Sequence, residues 1–552
     1  MNIGLISINM YTKGLNFACP LHTFAFQQFL RDNGVETTII DYKPVYYGNF
    51  DLRHPADFYE RLCAHRERTG NLDRIDELRS KRDGYRALYH EREVRYDKFQ
   101  KFIDEHYVKT DACYDSDLLE VRDPGFDCYI CVTDVIWKKE PQKGFDRGFF
   151  LASKAMEGKK KIAYAASRGV FFAENKHDEE QFFGYLSDID YIGVREESLK
   201  DYIEDHMDKD VSLVLDPVML NDRSLYDDMA VKPEEEGYLF VYYVMEQAED
   251  TLEQAAAYAR AHNLKIVEAT DRPIPQGKLS RYKDLDVTYR YDIGIEEWLG
   301  YFKYADVVFT NSFHASCFSI LFEKEFYVGS RNGDKVTNVL KQFGLENRRF
   351  NKDTNLLDPP LAPIDYETVG AILRAKRQES SDFILNAIHN LEDAEKEPID
   401  YRALKKRVTY PILYNTKLKK ELFTWDYPED KGVVKKLKSG SFEFVPTNAE
   451  MSNTGKSHLA ENHFALKGWR FKGWNVRVKI DNRWFWLMED GSLQLKDKKS
   501  AEDGKARALL GDGAALPFVD VGHIDVAVAE GVWEQTPSTR IKRKLRHILK
   551  RR

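Results

Sequence analysis

The chain opens on MNIGLISIN, a crowded apolar run that reads as a buried strand. The helix pattern CPLHTFAFQQFLRDNG follows, with Gly34 at its C-terminal end, and then a second strand, VETTIIDY. Strand, helix and strand in that order commit a chain to parallel pairing, because a parallel neighbour is reached only by a long crossover. The alternation resumes in FDCYICVTD, KKIAYAAS, DYIGVREES and SLVLDPVML. After the polar, acidic stretch NDRSLYDDMAVKPEEEG it starts again with YLFVYYV, DTLEQAAAYARAH and LKIVEAT, and later GIEEWLGYFKYA, DVVFTNS, HASCFSILFEK and EFYVGS. The expected fold is therefore α/β, with two Rossmann-like doubly wound halves, residues 1–225 and 236–395. A charged helical insertion at about 50–110 is expected to lie against the first sheet. In such sheets ligands bind beyond the carboxyl ends of the strands, here in the cleft between the halves.

From about residue 400 the style changes. Gly-Trp pairs and alternation in HFALKGWRFKGWNVRVKIDNRWFWLMEDGSLQL indicate antiparallel strands, with a tight turn at Asp481–Asn482. This makes residues 400–535 a small β-rich accessory module. Six of the eight tryptophans fall there: Trp425, Trp469, Trp474, Trp484, Trp486 and Trp533. Aromatic faces stack on sugar rings, but a small β core also needs large side chains, and the two-residue spacing of Trp484 and Trp486 suits a core face. Residues 536–552 end in RIKRKLRHILKRR, a basic tail with an apolar stripe. It reads either as a solvated terminus or as a peripheral contact with an anionic membrane.

A length of 552 residues exceeds one core, and 43% hydrophobic residues rule out a disordered chain. Basic and acidic residues nearly balance, 83 against 91, which argues against a nucleic-acid coat. No run reaches the length of a membrane-spanning helix, and MNIGLISINMYTKG lacks a signal-type start, so a cytoplasmic protein is expected. Six scattered cysteines give no disulfide framework; Cys128 and Cys131 form a CxxC within a strand pattern, with no second pair to complete a metal site, and read as packing residues.

Chemistry is expected where strands end and helices begin. In DVVFTNSFHASCFSILF, Asn311 and Ser312 follow the strand, and His314 sits at a helix start, where unpaired N–H groups attract anions and imidazole can deliver a proton. The rival reading there is a capping histidine. Arg195, in YIGVREES, can fork onto a phosphate or carboxylate, or simply pair with a neighbouring acid. Arg331 and Lys335, in GSRNGDKVTN, project from the same rim or belong to a solvated loop. Asp134, in VTDVIW, is a base, a sugar-hydroxyl acceptor or a helix cap. Asp216–Pro217, in LVLDPVML, reads as a structural turn.

Taken in order, MNIGLISIN, NFACPLHTFAFQQFLRDNGVETTIIDYKP, VTDVIW, KKIAYAASRG, YIGVREES, VLDPVML and TNSFHASCFSILFEKEFYV resemble the polysaccharide pyruvyl transferase family over roughly residues 1–390. That resemblance implies two halves similar to B-type glycosyltransferases. It also implies phosphoenolpyruvate as donor substrate, with no cofactor, metal or nucleotide, and a sugar or lipid-linked oligosaccharide as acceptor in cell-surface polysaccharide biosynthesis. Matched position by position, Arg195 and His314 fall on the donor-site arginine and histidine. Lys335 lies one residue from a basic donor-site position, and Asp134 falls on a carboxylate of the first-half loop. Members of the family often carry Arg two residues before the histidine, where this chain has Ser312; whether Arg331 supplies that cation stays open. Asn16–Phe17–Ala18–Cys19 replaces a commoner glycine-containing form, and Val135 a common Gln. Two rival functions remain at this level, a nucleotide-sugar-dependent glycosyltransferase and a catalytically silent glycan-binding protein.

Overall fold

The computed structural model describes residues 1–396 except 49, 71, 141–143, 170–175, 245–247 and 331–333. Beyond these it describes 409–415, 423–425, 432–436, 442–446, 450–452, 459, 464–466, 469–480, 483–488, 492–495, 509–511, 514 and 526–536. Arg331, the turn Asp481–Asn482 and the basic tail 540–552 lie outside the described residues.

The first sheet contains β1 (Ile3–Ile6), β2 (Thr37–Tyr42), β3 (Lys109–Tyr114), β4 (Cys128–Asp134), β5 (Lys160–Ala166), β6 (Tyr191–Val194) and β7 (Val211–Leu213). Their order is β3-β2-β1-β4-β5-β6-β7, every pair parallel. The second contains β8 (Tyr238–Tyr243), β9 (Lys265–Thr270), β10 (Val287–Arg290), β11 (Val307–Thr310), β12 (Glu325–Gly329) and β13 (Arg349–Phe350), in the order β10-β9-β8-β11-β12-β13, also all parallel. Helices cover both faces of such sheets, which is why β1, β8 and β11 are buried at every position. The strand order reverses between β1 and β4 and between β8 and β11, and a crevice opens at each such reversal. Cys128 and Cys131 are buried free thiols in β4, as packing residues are.

The helices are α1 (Ala18–Asp32), α2 (Pro55–Thr69), α3 (Ile75–Ala87), α4 (Tyr89–His106), α5 (Lys176–Leu186), α6 (Glu197–Glu204), α7 (Arg223–Met229), α8 (Glu249–His262), α9 (Ile295–Tyr304), α10 (Phe313–Leu321), α11 (Lys335–Gln342) and α12 (Tyr366–Glu392). The insertion α2–α4 does more than lie on the first sheet. Arg95 of α4 is wholly buried, donates from both Nη atoms to the Thr270 carbonyl at the end of β9, and stacks on Phe17 and Tyr291. Arg92, also buried, donates to the carbonyls of Lys13, Gly14 and Leu52. Lys98 pairs with Glu297 of α9. One continuous core runs through α1, α4, β8, α9 and α10, so the halves share apolar packing.

Helix α12 starts in the second half and returns to the first sheet, where Ile384, Ala387, Ile388 and Leu391 pack with Leu5, Ile130, Ile162 and Val214. Gly193 makes room for this return, because a Cβ there would lie 2.8 Å from the Phe383 ring.

Both halves belong to one compact unit, Met1–Lys138 with Asp146–Ala173 and Tyr185–Pro398. Lys139–Phe145 and Glu174–Gly184 group instead with Ile399–Arg552 in a second unit. The described strands beyond residue 400 form a largely antiparallel sheet, with Phe423–Trp425 and Phe464–Leu466 pairing apart from it. Its longest strand, Trp469–Ile480, pairs with Val526–Gln535 and with Arg483–Leu487, bringing Ile480 opposite Arg483. Trp474 and Trp486 are buried in it, and Trp484 carries the Arg477 guanidinium on its face at 4.3 Å. Among the described residues no helix is long and apolar enough to cross a membrane.

Candidate active site

Helix starts and strand ends from both halves bring the charged residues together. β4 finishes on Thr133 and Asp134, with φ of 39° and 63°. The left-handed region is unfavourable for both types and worst for β-branched Thr133, the kind of local strain that collects at functional sites. β6 ends at Val194, and Arg195 follows immediately, with Glu196 at the N-cap of α6. Asp216 follows β7 and caps a short helical turn by accepting from the Val218 amide at 3.2 Å. From the second half come His314, in the first turn of α10, and Lys335, the first residue of α11.

Asp216 is the hub. Its Oδ2 accepts from Arg195 Nη1 at 2.5 Å and from Thr133 Oγ1 at 2.8 Å, and lies 3.4 Å from His314 Nε2. That last approach is an ion-pair distance without hydrogen-bond alignment, for Nε2 has no hydrogen-bond partner. Arg195 Nη2 lies 3.3 Å from Asp134 Oδ1, and Lys335 Nζ lies 3.4 Å from the same oxygen. The Arg195 guanidinium also covers the Phe313 ring at 4.5 Å. The fork expected to grip a donor anion therefore holds two carboxylates of the chain itself, and it is 3% exposed.

Burial alone would raise both aspartates. For Asp134 it is outweighed by the charges of Lys335, then Arg195 and His314, which hold the carboxyl well below its usual range. For Asp216 it is outweighed by His314, then Arg195, which keep it ionised to strong acid. Burial disfavours the charged form of Arg195, but Asp216, Glu196 and Asp134 more than restore it, raising the guanidinium above its ordinary value. Glu196 is pushed up by burial, against the pull of Arg195. Arg195 and Lys335 set two positive charges against the two negative charges of Asp134 and Asp216.

A second layer lies under Asp134. Cys19 and His22, on the first turns of α1, are buried; the Cys19 thiol donates to Asp134 Oδ2 at 3.7 Å, and the His22 ring lies 5.7 Å from the His314 ring. Burial, and then Asp134, push the Cys19 thiol up, while burial pushes His22 down to about 3, so both are neutral near pH 7.

Of the sequence-derived candidates, Arg195, His314, Asp134 and Lys335 meet in this cluster. Asn311 and Ser312 use their side chains on the backbone. Asn311 uses its amide to bracket β11 to β8, accepting from the Val244 amide at 2.9 Å and donating to the Val244 carbonyl at 3.1 Å. Ser312 is the N-cap of α10, its hydroxyl accepting from the Ala315 amide. Asp216, read from sequence as a structural turn, is both a cap and the centre of the charge network. Thr133, His22, Cys19 and Glu196 were also missed. The signals that could have found them are an Asp-Pro at a strand end facing an Arg-bearing strand end, and a Cys-x-x-His on the first turns of a helix that follows β1.

A family model described as polysaccharide pyruvyl transferase matches residues 21–331. No curated protein matches the sequence significantly. Among solved structures, UDP-GlcNAc 2-epimerase of Methanocaldococcus jannaschii is similar over 71% of this chain and 100% of its own, at 9% identity and a TM-score of 0.34. The Neisseria meningitidis UDP-GlcNAc 2-epimerase gives 71% and 100%, 9% identity and 0.35. MurG of Acinetobacter baumannii gives 70% and 99%, 8% identity and 0.31. Scores this low add nothing to what the sheet order already establishes about the fold.

Proposed function

Because that match spans more than half of its 552 residues, the chain belongs to the polysaccharide pyruvyl transferase family, and we propose that it transfers the pyruvyl group of phosphoenolpyruvate to two hydroxyls of a sugar as a ketal. What supports the reading is that Arg195 of the first half and His314 of the second meet on one oxygen of Asp216, with Lys335 one carboxylate away. A small donor bearing a carboxylate and a phosphate suits cations and helix starts gathered around one crevice.

Ketal formation moves three protons, one onto the methylene carbon and one off each of two sugar hydroxyls. One must reach the methylene carbon of the donor, and we assign it to His314, whose conjugate acid has Asp216 as counter-ion. A sugar hydroxyl then bonds to the neighbouring carbon, and its proton returns to His314. The bond to the phosphate oxygen breaks, phosphate departs, and a second hydroxyl closes the ring, its proton leaving with the phosphate. Lys335 and the N–H groups at the start of α10 receive the donor's anionic groups, and Arg195 fixes the two carboxylates that orient the site. Asp134, held so far below the usual carboxylate range, is better fitted to accept a hydrogen bond from the acceptor hydroxyl than to store its proton. The acceptor is a sugar or polysaccharide, as the family name states, and we place the reaction in the cytoplasm on a cell-surface polysaccharide or its lipid-linked precursor.

The test is phosphate release from phosphoenolpyruvate across a panel of sugar acceptors, with wild type and His314→Ala. Acceptor-dependent release that His314→Ala abolishes without lowering the melting temperature supports the reading. Unaltered turnover in the variant removes His314 from the chemistry. Thermal stabilisation by a uridine diphosphate but not by phosphoenolpyruvate overturns the donor assignment.

A further inference from the structure

We propose that Cys19, His22 and Asp134 bind a divalent cation of the zinc class, leaving one position for a ligand the protein does not supply. Cys19 and His22 stand three residues apart on α1, hence on one face of its first turns, and Asp134 comes from the end of β4. One donor atom from each of the three lies within 4.8 Å of the other two. Around a tetrahedral ion with bonds of about 2.0–2.3 Å, neighbouring donors are roughly 3.3–3.8 Å apart. Cys19 Sγ and Asp134 Oδ2, 3.7 Å apart, already have that separation.

A second observation points the same way. His22 is wholly buried, and its Nε2 has no hydrogen-bond partner. A buried ring nitrogen left unpaired is costly, and a metal bond would relieve it. Nδ1 lies 3.3 Å from Thr23 Oγ1, the kind of outer contact that fixes the orientation of a ligating imidazole. Asp134 is split in the same fashion, with Oδ1 held by Arg195 and Lys335 and Oδ2 turned to the thiol.

Sulfur, nitrogen and oxygen together suit zinc over calcium or magnesium, which take oxygen alone. Binding exchanges the ion for the thiol proton, Cys–SH + M2+ giving Cys–S–M+ and H+, so the charge of the cluster rises by one. That surplus turns a nearly neutral crevice into one that attracts an anion.

The test needs no substrate, so it stands or falls separately from pyruvyl transfer. Full-length protein freed of metal with a chelator is titrated with Co2+ and followed by absorbance. One Co2+ per chain, with a thiolate-to-cobalt charge-transfer band that Zn2+ bleaches, is expected. The band should vanish in Cys19→Ser, persist in Cys63→Ser, and require at least tenfold more Co2+ in His22→Gln. In parallel, Zn2+ should raise the melting temperature of the wild type and not of His22→Gln. No stoichiometric band in the wild type, or a band retained in Cys19→Ser, overturns the proposal. Should Cys19→Ser fail to fold, equal Zn2+ stabilisation of wild type and His22→Gln overturns it as well.

Discussion

Replacing Asp216 by asparagine keeps the size of the side chain and removes the charge at the hub. Asp216 accepts from Arg195 Nη1, Thr133 Oγ1 and the Val218 amide. Asparagine can keep the Val218 contact through Oδ1, but then presents an NH2 to two donors. Arg195, buried and charged, keeps Asp134 at 3.3 Å, Glu196 at 4.0 Å and the Phe313 ring. Removing one partner of a buried ion pair costs about 3–5 kcal/mol, and the surviving partners put this case near 3. At about 2 °C per kcal/mol for a large unit, the melting temperature should fall by about 6 °C at pH 7. The pH dependence gives an independent check. Asp216 is depressed in the folded state, so its stabilisation is complete above its unfolded value of about 3.9 and is lost as pH falls below that value. At pH 3 the unfolded carboxyl is mostly protonated and the folded one is not, which removes about 1.3 kcal/mol of the wild type's advantage. Chemical unfolding of both proteins at pH 7 and pH 3 measures it. A loss below about 1 kcal/mol at pH 7, or a gap that fails to narrow in acid, would refute the reasoning.

Lys335→Met should raise KM for phosphoenolpyruvate about tenfold or more with a smaller change in kcat, as expected when one charged contact to the donor is lost; steady-state phosphate release measures it, and an unchanged KM removes Lys335 from donor binding. Gly300→Ala drives a methyl into the Val231 carbonyl inside α9, and should destabilise by about 1–3 kcal/mol in a thermal melt. Arg95→Met should cost less than Asp216→Asn, about 1–2 kcal/mol, because Arg95 has carbonyl and aromatic partners and leaves no unpaired charge behind; the two melts compared at pH 7 decide it.

The alternation of strands and helices was legible because strands buried on both faces must be apolar throughout, and helices on such sheets must be amphipathic. Arg195, His314, Asp134 and Lys335 were legible because each sits where a strand ends or a helix starts, the place where backbone groups are free to act. Asp216 was not, since its partner Arg195 is on the neighbouring strand end and a local reading of Asp-Pro sees only a turn. Asn311 and Ser312 sit beside His314 in sequence, and their side chains close backbone bonds that a local reading does not see. Arg92 and Arg95, inside a densely charged helix, read as solvated and are 1% and 0% exposed. Their burial depends on Thr270 and Tyr291, about 200 residues further on.

The return of α12 to the first sheet has a consequence for synthesis. The first seven strands have all been synthesised by Leu213, yet the apolar face of Leu5, Ile130 and Ile162, covered in part by Phe26, Phe29 and Leu30 of α1, is completed only when Ile384, Ala387 and Ile388 arrive. The nascent amino-terminal lobe is thus unfinished for some 170 further residues of translation. A gene cut at the acidic connector near residue 230 should yield a sticky fragment in place of an independent domain.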